Sequence, residues 1–428
     1  MATAAEPPLV ERDYFTDHSI LRDPYAYFEA LRAKGPVHRP AGGKIVFVTG
    51  FDESTEILLN TDDFSSSIAA LGPVAPLPFK PEGSDISDQI EAAFDPMSLT
   101  SLLVNYDGKR HSDARSLLNR LFIPSRLKAN EEFMEDYADQ LVREAVASGG
   151  CELINQIATP YVTLVIADLL GVPEGDREKF REVIDSGPPA GDLDNASAVQ
   201  ASPALMFMGA YFMDYVQARR ANPTDDVLSE LANAKFPDGA TPDMLEVVKA
   251  AMFLFAAGQD TSAKLLGNAM RFVIDDPALQ ARLRADTTLI APFLEEVLRL
   301  EGSTKGTFRL AKRDTRIGDM EIKAGTPVVV GLAAANRDPR RWDNPSELII
   351  NRPRIKEHLG FGRGAHTCIG APLARVEIRV IFERFFEHTS HIELDTAIHG
   401  AGTSRELAYE PSYIIRGLES LNLKLTPR

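Results

Sequence analysis

Residues 359–375 read Leu-Gly-Phe-Gly-Arg-Gly-Ala-His-Thr-Cys-Ile-Gly-Ala-Pro-Leu-Ala-Arg, and they gather the chemistry-bearing residue types of the chain. Cys368 is one of only two cysteines. Gly360, Gly362, Gly364 and Gly370 allow positive φ and a close approach of backbone to a ligand, and Pro372 suits the first turn of a helix. A sulfur placed between a glycine loop and a helix N-terminus stands where backbone N–H groups and the helix dipole favour a thiolate, as a metal ligand requires. Taken alone, Cys368 reads equally well as a small buried hydrophobe. A phosphate cradle opening at Gly362-x-Gly364 is disfavoured, because the third glycine is misplaced and no apolar strand leads into it.

A second cluster interrupts a long apolar stretch. Thr241 as cap, Pro242 and Asp243 at the start and Pro277 as stop predict a helix of more than thirty residues, apolar nearly all round over 247–266 and so running through the core. Into it are set Ala257-Gly258-Gln259-Asp260-Thr261, which are expected to loosen the backbone ladder and bury polar groups. On another predicted helix, 107–122, His111 and Arg115 share one face at i, i+4. That face alone reads as a solvated basic surface. Glu296-x-x-Arg299 reads as an everyday helix ion pair.

The full spacing Phe361-Gly362-x-Gly364-x-His366-x-Cys368-x-Gly370 resembles the haem-binding signature of the cytochrome P-450 family, the haem-thiolate monooxygenases. The resemblance implies haem b as cofactor, Cys368 as its axial ligand, and Phe361, Gly362, His366 and Gly370 beside it. Asp107-x-x-x-His111-x-x-x-Arg115 resembles the helix that reaches the haem propionates, with Arg309 a further propionate-binding arginine. Ala257-Gly258-x-Asp260-Thr261 resembles the oxygen-activating motif, in which Thr261 hydrogen-bonds dioxygen and Asp260 relays protons. Glu296 and Arg299 belong by the same resemblance to a buried network completed by Arg352, with Arg354 the alternative. Residues 300–308 depart from the family by lacking a proline commonly found there.

The elements that must position these groups are read as mainly α (α+β): one helical domain over 1–428 with small antiparallel sheets, a long central helix crossing the haem, and a loosely ordered segment 1–22. The irregular, proline-punctuated 65–106 and 187–203 read as pocket walls and lid rather than linkers. The expected substrate pocket comprises Ile68, Leu71, Phe253, Leu254, Lys305, Thr307 and Ile414. It suits a small apolar substrate of terpenoid, steroid or alkyl-aromatic class. Lys305 is expected to point to water; facing inward, it would suit a carboxylated substrate such as a fatty acid.

Net charge of −16 argues against nucleic acid as a partner. Residues 1–11 lack a signal-peptide pattern and no stretch is long and apolar enough to span a bilayer, so a cytoplasmic protein with no membrane contact, expected as a monomer, is the reading. Two basic stretches stand against the acidic whole. Residues 104–128 hold six basic side chains against two acidic, and 352–384 hold seven against three. They are expected to form a positive face, including Arg110 and Arg120, that docks an acidic iron–sulfur ferredoxin or a flavodoxin with its NAD(P)H reductase. The alternatives are a haem-thiolate enzyme that uses peroxide or rearranges its substrate, and a non-catalytic haem sensor; the Asp260–Thr261 pair argues against both.

Overall fold

The computed structural model describes residues 7–40, 43–70, 72–95, 98, 101–185 and 203–428. The fold is built on the helix Met244–Asp275, which at 1.5 Å per residue is about 48 Å long. Its residues are buried on several sides, from Val247 to Phe255 and from Ser262 to Met270, as the all-round apolar pattern predicts. It begins two residues later than the sequence suggested, with Asp243 rather than Thr241 in the capping position. Around it pack Thr159–Leu169, Pro203–Ala221, Ile290–Glu301 and Ala371–His388. Gly258 explains one of these approaches. A Cβ there would lie 2.9 Å from Ile166 Cδ1, so glycine lets the helix Thr159–Leu169 come this close without moving that side chain.

The helix is not interrupted at 257–261. The Thr261 hydroxyl donates to the carbonyls of Ala257 at 2.9 Å and Gly258 at 3.3 Å, and the helix runs through. The hydroxyl bonds back to its own helix, a contact that tends to bend a helix without ending it.

A mixed sheet flanks the helices, in the order Val37–His38, Val46–Val48, Pro327–Val330, Thr307–Ala311, Phe64–Ser65. Its pairings are antiparallel except that of Val46–Val48 with Pro327–Val330, which is parallel. The second sheet joins Gly150–Glu152, Asn422–Pro427 and Thr389–Leu394. Around Arg416 and Gly417 the chain pairs through isolated bridges, Tyr409 to Leu418 and Thr304 to Ile415.

The N-terminal segment corrects an expectation. Residues 1–6 lie outside the described residues, but from 7 to 22 the chain is packed. Tyr14, Ile20 and Leu21 are buried, and the Tyr14 hydroxyl donates to Tyr413 O at 3.1 Å. Lys305 is corrected with it. Its side chain faces neither solvent nor pocket; it is buried and its Nζ donates to Leu21 O at 2.7 Å. Arg416 donates likewise to Arg22 O. The short helix His18–Arg22 thus ends on two cations that satisfy its last carbonyls. Ile68 and Ile414, expected in the pocket, pack in this same apolar cluster instead.

The network of Glu296, Arg299 and Arg352 is buried and complete. Arg299 bonds Glu296 at 2.7 and 2.9 Å, and Arg352 Nε reaches Glu296 Oε1 at 2.9 Å. Arg299 also donates to the carbonyls of Asn336, Pro345 and Glu347, which ties the helix Ile290–Glu301 to the meander before the cysteine loop. Arg354 is excluded from it, exposed and paired with Glu357. Removing the one carboxylate strands two buried guanidiniums. Glu296→Gln should therefore cost about 3–5 kcal/mol, read as a lowered urea midpoint of the holoprotein.

Candidate active site

A cavity lies between the long helix and the cysteine loop. The loop reaches it through a left-handed turn: Gly362 has φ 66° and Gly364 φ 75°, and a Cβ on Gly364 would lie 2.6 Å from Leu58 O. The Cys368 N–H closes the turn on Phe361 O at 2.9 Å, and the helix Ala371–His388 starts immediately after. Cys368 is accessible, and the space it faces is this cavity. Burial within the protein pushes its thiol above the ordinary value, against the Gly370 N–H, the charge of Arg115 and the Ala371 N–H. Such a sulfur keeps its proton until a cation takes its place.

One carboxylate secures both ends of the loop. Glu295 Oε2 accepts from His358 Nε2 at 3.1 Å, on the side before Cys368, and Glu295 binds Arg375 on the side after it. The Gly360 N–H donates to His358 Nδ1, which leaves the proton on Nε2. Arg375 also lies over the Phe361 ring at 4.7 Å.

The edge of the cavity is cationic. His111 and Arg115 from the helix Gly108–Asn119, Arg309 from the strand Thr307–Ala311, and His366 from the loop all line it. The His111 and His366 rings lie 4.0 Å apart, His366 Nε2 shares a 3.0 Å hydrogen bond with Ser66 Oγ, and His111 Nε2 is buried without a partner. Burial, with Arg115 beside it, takes His111 down to about 4. Burial and then Arg309 take His366 to about 3. Arg309 is buried, and desolvation lowers it to about 10. Its Nη1 finds only Thr307 Oγ1 and Phe308 O. Asp107 is already engaged by Ser65 Oγ at 2.5 Å and Ser66 N at 2.9 Å. Among the described residues no carboxylate forms an ion pair with Arg115 or Arg309. A buried guanidinium and a half-buried one, lining the same cavity edge without an anion, suit one from outside the chain.

The opposite wall is apolar, with Phe253, Leu254, Ala257, Gly258 and Thr261 from the long helix and Leu298 beyond it. Thr307 also lines it, whereas Ile68, Lys305 and Ile414 do not, and Leu71 lies outside the described residues. The 187–203 lid falls on residues that, up to 202, are also outside them. Asp260 is not on the cavity wall; it sits on the neighbouring helix face with Oδ2 buried and unpartnered, and burial pushes its carboxyl up to about 6. Sequence reasoning missed Glu377, a buried cavity-lining acid raised to about 7 by burial and hydrogen-bonded to Ser262. Its signal was an acid set between Val376 and Ile378 in an apolar helix stretch.

The comparisons decide the family. The family described as Cytochrome P450 matches residues 204–396. The chain is 32% identical over 431 residues to the cytochrome P450 monooxygenase PikC of Streptomyces venezuelae, covering 99% of this chain and 95% of that protein. The chain belongs to the cytochrome P450 family. Its fold is that of the substrate-free cytochrome P450 CYP150A6 of Mycobacterium marinum, at TM-score 0.92 and 45% identity, covering 98% of this chain and 100% of that one. The cytochrome P450 CYP109E1 of Bacillus megaterium in complex with testosterone matches at TM-score 0.76 and 26% identity, with 94% and 99% covered.

Cytochromes P450 are haem-thiolate monooxygenases, and the cofactor is haem b. The cavity fits it: a thiol on one face, an apolar wall with a hydroxyl on the other, and at one edge two anion-free guanidiniums where a haem carries its two carboxylates. No helix among the described residues is long and apolar enough to cross a membrane.

The positive face is less open than the sequence suggested. Arg110 pairs with Glu91 and lies over Phe94, Arg126 pairs with Glu230, and Arg379 with Glu131 and Glu383. Arg120 is exposed and makes no ion pair among the described residues, its Nη2 donating to Lys235 O.

The Glu295 clasp carries a pH prediction. Burial raises this carboxyl, but the hydrogen bonds and charges of His358 and Arg375 outweigh it and hold it at about 2, against an ordinary 4.5. A depressed carboxyl contributes stability above pH 4.5 and loses it as pH falls toward 2. In Glu295→Gln this part of the acid-unfolding curve should flatten by on the order of 2 kcal/mol, followed by circular dichroism of the holoprotein.

Proposed function

We propose that this cytochrome P450 oxidises a small apolar substrate of terpenoid, steroid or alkyl-aromatic class, residues 1–428 acting as one monomeric, cytoplasmic haem-binding unit. The carrying observation is the apolar wall of Phe253, Leu254, Ala257 and Leu298, with no lysine among the cavity residues: Lys305, which alone would have favoured an acid, is committed to Leu21 O. The testosterone bound by the Bacillus megaterium relative supports the steroid class.

Cys368 Sγ would hold the iron, and Arg115 and Arg309, with His111 and His366, would hold the two carboxylates. When bound, haem would supply the iron chemistry of monooxygenation, in which dioxygen, two electrons and two protons place one oxygen atom in the substrate and leave the other as water. Thr261 Oγ1 stands at the opposite wall, and Asp260, its carboxyl raised to about 6, stands on the neighbouring helix face where it can take up and release a proton. The apolar residues exclude water, which keeps delivered protons on the productive path.

Titration of the holoprotein with testosterone should displace the Soret band to shorter wavelength, and palmitic acid should do so far less; the reverse order would overturn the substrate class. Cys368→Ser should abolish the red-shifted Soret band of the reduced carbon monoxide adduct, and its persistence would overturn the ligand assignment.

Electrons are proposed to come from an acidic ferredoxin or a flavodoxin docked near Arg120, supplied in turn by an NAD(P)H reductase. Arg120→Glu should slow reduction and lower its salt sensitivity. Arg110→Glu should do so less, because Glu91 already neutralises that charge.

A further inference from the structure

One turn beyond Asp260 on the long helix stands Lys264, a buried lysine that faces away from the cavity. Its Nζ forms an ion pair with Glu410 from the C-terminal segment and donates to Leu418 O at 3.2 Å. The segment is shaped around this side chain: a Cβ on Gly417 would lie within 2.3 Å of Lys264 Cδ. Lys264 follows Asp260 at i, i+4 and so shares its helix face, and beside its ion pair with Glu410 two buried oxygens have no partner among the described residues, Asp260 Oδ2 and Glu410 Oε2. A buried lysine with one carboxylate partner is an ordinary, costly ion pair. A buried lysine flanked by a second carboxylate that lies behind the reacting wall is placed to act on it.

We propose that Lys264, fixed by Glu410, is a positioning residue for Asp260: its ammonium holds the Asp260 carboxyl in a state able both to give up and to regain a proton. The proposal rests on the reading of Asp260 as the proton carrier. Burial favours the protonated acid, Lys264 opposes this, and Glu410 works with burial. Those are the charged groups acting on Asp260, one from its own helix and one from the segment packed against it. Without the lysine, the acid would stay protonated and give up its proton reluctantly. Without Glu410, it would ionise earlier and pick up its proton less readily.

The two partners thus have opposite signs, which a general structural disturbance does not reproduce. The test uses holoprotein in its reduced carbon monoxide form, with aspartate labelled by ¹³C at the side-chain carboxyl and the Asp260 signal assigned by its loss in Asp260→Asn. Lys264→Met should raise the titration midpoint of that signal by about one pH unit, and Lys264→Arg should restore it. Glu410→Gln, which keeps Lys264 bonded to Leu418 O and needs no stable Lys264→Met protein, should lower it. The pH optimum of product formation should move in the same directions. Unmoved midpoints, or shifts of one sign in both variants, would overturn the proposal. Full turnover in Asp260→Asn would instead overturn the role of Asp260, while the titrations still decide whether Lys264 governs that carboxyl.

Discussion

The structure depends on keeping unbalanced charge dry. Arg309 is buried and Arg115 half-buried, and among the described residues neither has a carboxylate as ion-pair partner. Desolvating a guanidinium without an anion is costly, and the chain accepts that cost at one edge of one cavity. Other buried cations meet carboxylates: Arg299 and Arg352 share Glu296, Arg416 meets Glu301, and Lys264 meets Glu410. The contrast marks the edge as a place built for an anion that the chain does not itself provide. Cys368 obeys the same logic with the opposite sign, as a thiol kept protonated by burial until a cation arrives.

Holding these groups in register calls for stiff supports, and each is a buried polar contact between distant segments. Glu295 grips both flanks of the cysteine loop, Glu296 ties the same helix to the meander that leads into the loop, and Leu58 O presses on Gly364. Neighbouring carboxylates on one helix thereby set the backbone that carries Cys368. On the far side, the long helix serves two surfaces at once. Ala257 and Thr261 face the cavity, whereas Asp260 and Lys264 share the next face, toward the C-terminal segment. The helix runs continuously through this division of labour, and the Thr261 hydroxyl bonds back to Ala257 O.

The two chain ends are joined by cations placed at a helix terminus. Lys305 and Arg416 come from segments almost three and four hundred residues downstream of the carbonyls they satisfy, Leu21 O and Arg22 O. This clasp removes the one lysine that could have made the pocket acid-selective, so a contact made for packing also shapes what the cavity can bind.

By itself the sequence determined what is local or periodic. The cysteine loop, the long buried helix and the pairing of His111 with Arg115 were legible because glycine geometry, all-round apolarity and i, i+4 spacing act within a few residues of chain. Only the tertiary structure could choose between Arg352 and Arg354. They differ by two positions, and the backbone turn that places Arg354 at φ 60° sends the first inward and the second to Glu357. It alone could place Lys305, whose direction follows from a register set by Ile414 O in a remote segment. The same holds for Glu295, Glu377 and the Lys264–Glu410 pair. An acid on a helix reads as surface until its partners are known, and those partners lie dozens to hundreds of residues away, brought together only by packing.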